Sequence, residues 1–404
     1  MQASKSQTAL PLLIIPSMQF AGSLRLMNTR LANDQQPGAI EEHWRQEFYK
    51  TVQEHQPAFI ALHLQEFGGK NYQANTGCAE NFIRTLVHSE ELSQYDWARA
   101  FIDNDFTQPD NFTALGSVYF IHSSLRSVQI YDFQEREFVS VPGQAMWMGS
   151  LENCHMVHKE RFPQDFWPEF AWTRKGFMRT RWLIHNRIFD LVNLHLFHDA
   201  SNLVSSDCSP SIYSSNRRRA LTHVLTRLQD DYNAPFFLFG DFNFRLDLKS
   251  LVQAQGWSPS ATGESDRETV VFEQDGEVQL TMKCKRFEHQ NVKIFQDDSE
   301  HMLLRFDHEP ILFLNELSEV QISFPPTYPF SENVTEPLEF MGTRCPAWCD
   351  RVFMSHPARA LLQKGQDGER YVKYGRIGGD SCMGDHKPVF LYFDMESALD
   401  QPEN

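Results

Sequence analysis

Short apolar runs that end on charged or amide-bearing tips constrain this chain more than any other feature of its sequence. Phe59–Leu64, Ala114–Ile121, Phe189–Leu196, Pro235–Phe239, Arg351–Met354 and Pro388–Phe393 read as strands buried on both faces. Between them, Ile40–His55, Ala79–His88 and Asn216–Asp230 have helical spacing, the last with Ala220, Leu221, Val224 and Leu228 on one side. Strands and helices mixed in this way predict a layered α/β domain. No repeat or low-complexity tract divides the 404 residues. One domain is therefore expected over residues 8–396, with a short acidic tail at 397–404. The polar stretch from about 253 to 298 is expected to be loops and helix inserted between two core strands.

The tips hold the chemistry. In FFLFGDFNFRLD, Asp241 and Asn243 are two apart after a buried run, so strand geometry lets both project from one face. A carboxylate can take a proton from water while an amide donates to a phosphate oxygen without adding negative charge. The same letters also fit a strand entering an Asx turn. Glu66, in ALHLQEFGG, ends a buried strand, where a carboxylate needs a partner such as a hard cation; a surface turn is the plainer reading. Asn193 and His195 alternate along DLVNLHLFHD, with His198 and Asp199 at its exit. A histidine there is as compatible with a satisfied core residue as with a catalyst. Asp350 and Arg351 open one strand, and Gly384, Asp385 and His386 precede another. Asp350 and Arg351 are adjacent in the strand, so they point to opposite faces and cannot form a simple ion pair.

The formal charge of −16 argues against nucleic acid or an anionic membrane as a general partner. Phosphate chemistry on such a chain requires a local basic cluster and a cation. Seven scattered cysteines without a CxxC pair read as reduced thiols, not as a zinc site. No spanning segment, signal peptide or prenylation box is evident, so no stable membrane anchor is expected. The expected location is the cytoplasm, or the periphery of the plasma membrane through partners.

Taken in order, QE, NxH, GDxN, WCDR and GDH resemble the endonuclease/exonuclease/phosphatase superfamily. GDFNFRLD, PAWCDRVF and GDHKPVF resemble its inositol polyphosphate 5-phosphatases. HLQEFGGKNY, RKGFMRTRW, DLVNLHLFHDASNL, SFPPTYP and RCPAWCDR are similar to the type I branch, which acts on inositol 1,4,5-trisphosphate. The resemblance extends from about Glu41 to Asp394 and implies a four-layer α/β/β/α sandwich.

It also implies roles. Glu66 and Asp385 are the expected Mg²⁺ ligands, Asp241 the group that activates water, and Asn243 a contact to the scissile phosphate. Asp350 and His386 resemble the superfamily's Asp–His pair, and His195 a further phosphate-side donor. Lys175, Arg179, Arg181, Arg245, Arg351 and Lys387 are the expected substrate-binding cations, whereas Arg217–Arg219 are expected on a solvated helix face. The implied activity is Mg²⁺-dependent removal of the 5-phosphate from soluble inositol 1,4,5-trisphosphate and 1,3,4,5-tetrakisphosphate, which ends calcium-release signalling. The alternatives are an impaired inositol-phosphate-binding scaffold or a nuclease of the same superfamily. One departure stands out. The family's first strand ends in an Asn near the metal, but LPLLIIPSMQFAGSLRLMNTR retains only Ala21–Ser23 of that tip.

Overall fold

The apolar runs form two sheets, and their strict alternation decides which residues meet. The computed structural model describes residues 9–19, 37–67, 72–167, 174–260, 268–290, 293–296, 302–333, 335–362, 371–382 and 384–396. Its early strands are β1 (Ala9–Gln19), β2 (Phe59–Gln65), β3 (Trp97–Asp103), β4 (Gly116–Ile121), β5 (Gln129–Asp132), β6 (Glu137–Ser140) and β7 (Gln144–Gly149). Then come β8 (His158–Arg161), β9 (Gly176–Ile184), β10 (Arg187–His195), β11 (Phe236–Asp241), β12 (Ser258–Pro259) and β13 (Thr269–Gln274). Last are β14 (Glu277–Lys283), β15 (Arg286–His289), β16 (Leu317–Glu319), β17 (Asp350–Ser355), β18 (Val372–Arg376) and β19 (Val389–Glu396).

The first sheet is ordered β18-β19-β1-β2-β4-β3-β7 and the second β16-β17-β11-β10-β9-β5-β6, with β8 on β9. Alternation along β2 shows how they stack. Phe59 and Ala61 join Trp182, Leu191, Phe237 and Phe239 in the core between the sheets. Ile60, Leu62 and Leu64 turn the other way, against Trp44, Phe48, Phe82 and Leu86 of helices Pro37–His55 and Tyr72–Val87. Helix Ile212–Leu228 covers the second sheet, with Ala220, Leu221 and Val224 on Val192, Leu194 and Leu238. The result is the expected four-layer α/β/β/α sandwich. Among the described residues, no helix is long and apolar enough to cross a membrane.

The expectation for residues 253–298 is corrected. The segment contains a four-stranded antiparallel sheet, β12-β13-β14-β15. One face of it packs on the core through Leu280, Met282 and Phe287, and the polar residues between them stay outside. That period-two pattern marks a half-buried sheet.

Arg179 and Arg181 also fall elsewhere than expected. They do share one face of β9, but that face meets carboxylates inside the protein. Asp190 on β10 accepts from Arg179 Nε at 2.8 Å and from Arg181 Nε at 2.7 Å. Both guanidinium groups also reach Asp230 Oδ2, at 2.8 and 2.7 Å. Burial raises the Asp230 carboxyl, but the two arginines outweigh it and hold it below its ordinary range. Asp190→Ala should therefore destabilise the protein by about 3–5 kcal/mol in urea denaturation, because two buried cations lose their main partner. Asp190→Asn, which keeps an acceptor, should recover part of that loss. Equal stability of Asp190→Ala and the parent would show that the network contributes nothing.

Candidate active site

Strand direction gathers the tips at one end. β10 and β11 run parallel, with His195 abreast of Asp241. β17 runs antiparallel to β11, with Asp241 abreast of Asp350. Residues in register on neighbouring strands face the same way, so these three form a row. The first sheet supplies Glu66 just past β2, and Asp385 and His386 just before β19. A cleft of about 240 Å³ lies over this end.

The backbone is unusual where the row meets the cleft. Gly240 has φ +140°, and a Cβ there would lie 2.0 Å from Leu194 O. Only glycine allows β11 to pass so close to β10 as it delivers Asp241. Glu66 and Asn243 have φ of 51° and 53°, the left-handed region that non-glycine residues rarely adopt. Strain of this kind persists where surrounding contacts fix it.

Asp241 is held on both oxygens. Oδ1 accepts from the Asn243 backbone N–H at 2.8 Å, and Oδ2 accepts from Asn243 Nδ2 at 2.8 Å. His195 Nε2 lies 3.0 Å from Oδ2 and also contacts Lys175 Nζ. Burial raises the Asp241 carboxyl, but the bond to His195 and the charges of His386 and Lys175 hold it well below the ordinary range. Asn243 Nδ2 donates as well to Leu196 O at 3.1 Å, and its Oδ1 accepts from Arg245 Nη2 at 2.7 Å. Both side-chain N–H groups of Asn243 are therefore engaged, which leaves none for the expected donation to phosphate.

His386 Nδ1 donates to Asp350, 2.9 Å from Oδ2 and 3.0 Å from Oδ1. Burial disfavours its cation, but Asp350 and Asp241 more than compensate and raise it to about 9. Glu66 meets Arg174 Nη2 at 3.2 Å and Lys175 Nζ at 3.9 Å. Burial raises its carboxyl, yet Arg174, Lys175 and His195 prevail and bring it down to about 2. Lys175 is pushed down to about 8 by burial, against the pull of Glu66 and Asp241. Arg245 lines the cleft with its ring-facing side over Tyr328, 4.6 Å from the centroid. Its Nε and Nη1 are buried and have no hydrogen-bond partner among the described residues. Buried donors without an acceptor are costly, and an anion in the cleft would satisfy them.

The cleft also accommodates a divalent cation. Glu66, Asp241 and Asp385 all line it, and their donors are the carboxylate oxygens that a hard ion prefers. Asp241, Asp350 and His386 lie within 4.8 Å of one another as well. In that trio His386 Nδ1 and both Asp350 oxygens are already engaged with each other.

The structure thus brings Glu66, Asp385, Asp241, Asn243, His195, His386, Lys175 and Arg245 to one cleft, with Asp350 behind His386. It takes Arg351 and Lys387 out of the expected substrate set. Arg351 is buried on the opposite face of β17 from Asp350, bound to Glu319 at 2.8 Å and Asp307 at 2.7 Å. Lys387 donates to Ser381 O and lies over the Phe330 ring. Arg217, expected in solvent, is fully buried between Asp199 and Glu309. Lys70 and the region from Phe20 to Gln36, with Ala21–Ser23 and Asn28, lie outside the described residues. Sequence reasoning missed Arg344, Tyr328 and Glu332, which also line the cleft. Arg344 and Tyr328 sit within the quoted motifs RCPAWCDR and SFPPTYP, but neither letter string says which side chain turns inward.

Known proteins resemble this chain over nearly its whole length. The family model Endonuclease/Exonuclease/phosphatase family 2 matches residues 169–392. Inositol polyphosphate-5-phosphatase A of Canis lupus familiaris is 44% identical over 376 residues, 91% of this chain and 91% of its own. The probable type I inositol 1,4,5-trisphosphate 5-phosphatase of Caenorhabditis elegans is 35% identical over 398 residues, 87% of this chain and 94% of its own. Among solved structures, the inositol polyphosphate 5-phosphatase domain of SpSynaptojanin, in complex with inositol (1,4)-bisphosphate and calcium ion, gives a TM-score of 0.47 at 13% identity. That match covers 96% of this chain and 84% of the other.

Gly240 gives the sharpest test of this geometry. Gly240→Ala should cost about 2 kcal/mol or more through the clash with Leu194 and the positive φ. Denaturation would measure that cost. An alanine variant as stable as the parent would show that β10 and β11 do not approach as described.

Proposed function

The chain belongs to the inositol polyphosphate 5-phosphatase family, and we propose that it removes the 5-phosphate of inositol 1,4,5-trisphosphate and of the 1,3,4,5-tetrakisphosphate with Mg²⁺. The observation that supports this substrate class is the orphaned pair of donors on Arg245, buried in a cleft that also holds Lys175, Arg174 and Arg344. A multiply phosphorylated ring offers oxygens to several such cations at once, with guanidinium forks suited to phosphate. The −16 formal charge of the chain leaves these cations as a local exception, which disfavours an extended nucleic-acid backbone as substrate.

In this reading Glu66 and Asp385, both lining the cleft, would hold Mg²⁺. The ion supplies charge neutralisation at the phosphoryl group. The other groups act in their own right. Asp241 stays ionised and presents an acceptor that orients the attacking water and receives its proton as the new P–O bond forms, while the bond from phosphorus to the ring oxygen breaks and that oxygen leaves with a proton from solvent. Asn243 fixes the Asp241 carboxylate and does not itself grip phosphate. The His386 cation, oriented by Asp350, donates to a phosphoryl oxygen whose charge grows in the transition state. Lys175 and His195 meet the same phosphate from β9 and β10, and Arg245 and Arg344 meet the remaining phosphates of the ring. No covalent intermediate is required, and Cys349 is buried as packing.

Phosphate release from inositol 1,4,5-trisphosphate should depend on Mg²⁺ and stop with EDTA. Folded protein that binds the trisphosphate without turning it over would favour the scaffold reading. Asp241→Ala and His386→Ala should each lower kcat by about 10²-fold or more, the scale of a lost acid–base or charge-stabilising group. Steady-state kinetics measure this, and undiminished kcat in both would overturn the assignment.

A further inference from the structure

We infer that Arg217 is a positioning residue that sets the geometry of Asp241 and Asn243 through Glu309 and Arg245. Arg217 lies on helix Ile212–Leu228, on the side turned to the second sheet, and is fully buried. Its guanidinium forks onto Glu309, Nε to Oε2 at 2.7 Å and Nη2 to Oε1 at 2.6 Å. Its Nη1 reaches Asp199 Oδ1 at 2.5 Å and Phe197 O at 3.2 Å. Three separate segments are thereby fixed to one cation: the exit of β10, the helix itself and the 3-10 turn Glu309–Phe313.

The linkage continues to the row of reacting groups. Glu309 Oε1, already bound to Arg217, also accepts the backbone N–H of Arg245 at 3.1 Å. Arg245 then donates from Nη2 to Asn243 Oδ1 at 2.7 Å. That bond decides which way the Asn243 amide faces. With Oδ1 toward Arg245, Nδ2 must point to Asp241 Oδ2 and Leu196 O, which it does at 2.8 and 3.1 Å. A reversed amide would set a carbonyl oxygen against a carboxylate oxygen and an N–H₂ against a guanidinium. Arg217 does not touch Asp241; its bond to Phe197 O also holds the chain beside Leu196 O, which accepts from Asn243, so the route through Arg245 is the one to be isolated.

Stability alone is a poor reason for such an arrangement. A buried ion cluster often adds no more stability than apolar side chains of similar volume. Neutral packing at Arg217 could not hold Glu309 where it must stand to receive the Arg245 N–H. The cluster is better explained by geometric specification.

The test is a double-mutant cycle on kcat, each value referred to the folded fraction measured by urea denaturation, using trisphosphate turnover. Arg217→Met should lower kcat by about 10- to 100-fold, the scale of a small misplacement of reacting groups. Arg217→Lys, which can still meet one carboxylate, should recover part of it. In an Arg245→Ala background, Arg217→Met should have little further effect, because the intermediary is already gone. Unchanged kcat in Arg217→Met, or the same fractional loss in both backgrounds, would overturn the inference and leave Arg217 purely structural. Glu309→Gln preserves shape and an acceptor oxygen, so it gives the same test should Arg217→Met fail to fold. A second readout is independent of turnover. The side-chain amide NMR signals of Asn243, assigned with Asn243→Asp, should shift in Arg217→Met and Glu309→Gln but not in Arg219→Met, whose guanidinium pairs with Asp165 at the surface. Absent shifts in the first two would also overturn the inference. A parent protein without phosphate release would instead count against the phosphatase reading, and the amide signals would still decide the linkage.

Discussion

A buried amide pair joins the two sheets where the cleft begins, and the site depends on that join. Gln65 Nε2 donates to Asn193 Oδ1 at 2.6 Å, from the end of β2 to the interior of β10. Asn193 Nδ2 in turn donates to Gly116 O at 2.8 Å and Leu64 O at 3.2 Å in the first sheet. Apolar packing elsewhere between the sheets is non-directional and would tolerate a small slide. Buried amides are not tolerant, because a broken partner costs about 1–3 kcal/mol per orphaned group. Glu66 follows Gln65 and His195 lies two residues beyond Asn193. The pair therefore sets the offset between the carboxylate of one sheet and the phosphate-side row of the other.

Around that join, charge is arranged in two distinct ways. Several buried cations outside the cleft lining are matched to carboxylates: Arg179 and Arg181 with Asp190, Arg351 with Glu319 and Asp307, Arg217 with Glu309 and Asp199. These groups have no capacity left for a ligand. Inside the cleft the matching is incomplete. Arg245 retains two buried donors without acceptors among the described residues. A cleft that is under-satisfied in donors is prepared for an anion, since those donors become satisfied only when the anion arrives.

This distinction explains what the sequence could and could not reveal. The tips at Glu66, His195, Asp241, Asp350 and His386 were each ambiguous alone, and it was their order along the chain, through its resemblance to the family, that marked them. Cations resist such reading. Arg179 and Arg181 alternate as a phosphate-binding pair would, but whether their shared face meets a cleft or a buried Asp190 depends on a strand eleven positions away in the case of Arg179. Arg217 sits in a run of three arginines that looks solvated, yet one helical position of the three turns toward Glu309, 92 residues later in the chain. The inserted sheet was obscured differently. In β14 the buried Leu280 and Met282 are a minority among polar and exposed residues that only alternation reveals.

The same contrast bears on selectivity. Asn243 was expected to bind phosphate directly, but its side-chain N–H groups are engaged by Asp241 and Leu196, and the proposed reading gives that duty to Arg245, Lys175 and His386. Arg245 bonds the Asn243 amide through Nη2 and keeps Nε and Nη1 buried without an acceptor among the described residues. A ligand that draws Arg245 toward its own phosphate pulls on the group that orients Asp241. In the proposed reading, recognition of a phosphate remote from the scissile bond and alignment of the Asp241 carboxylate would thereby be mechanically connected. A simple phosphate monoester that cannot reach Arg245 leaves that connection unused. Discrimination in favour of multiply phosphorylated rings can accordingly appear in kcat as well as in KM, because binding energy from the remote phosphate is expressed in the geometry of the reacting groups.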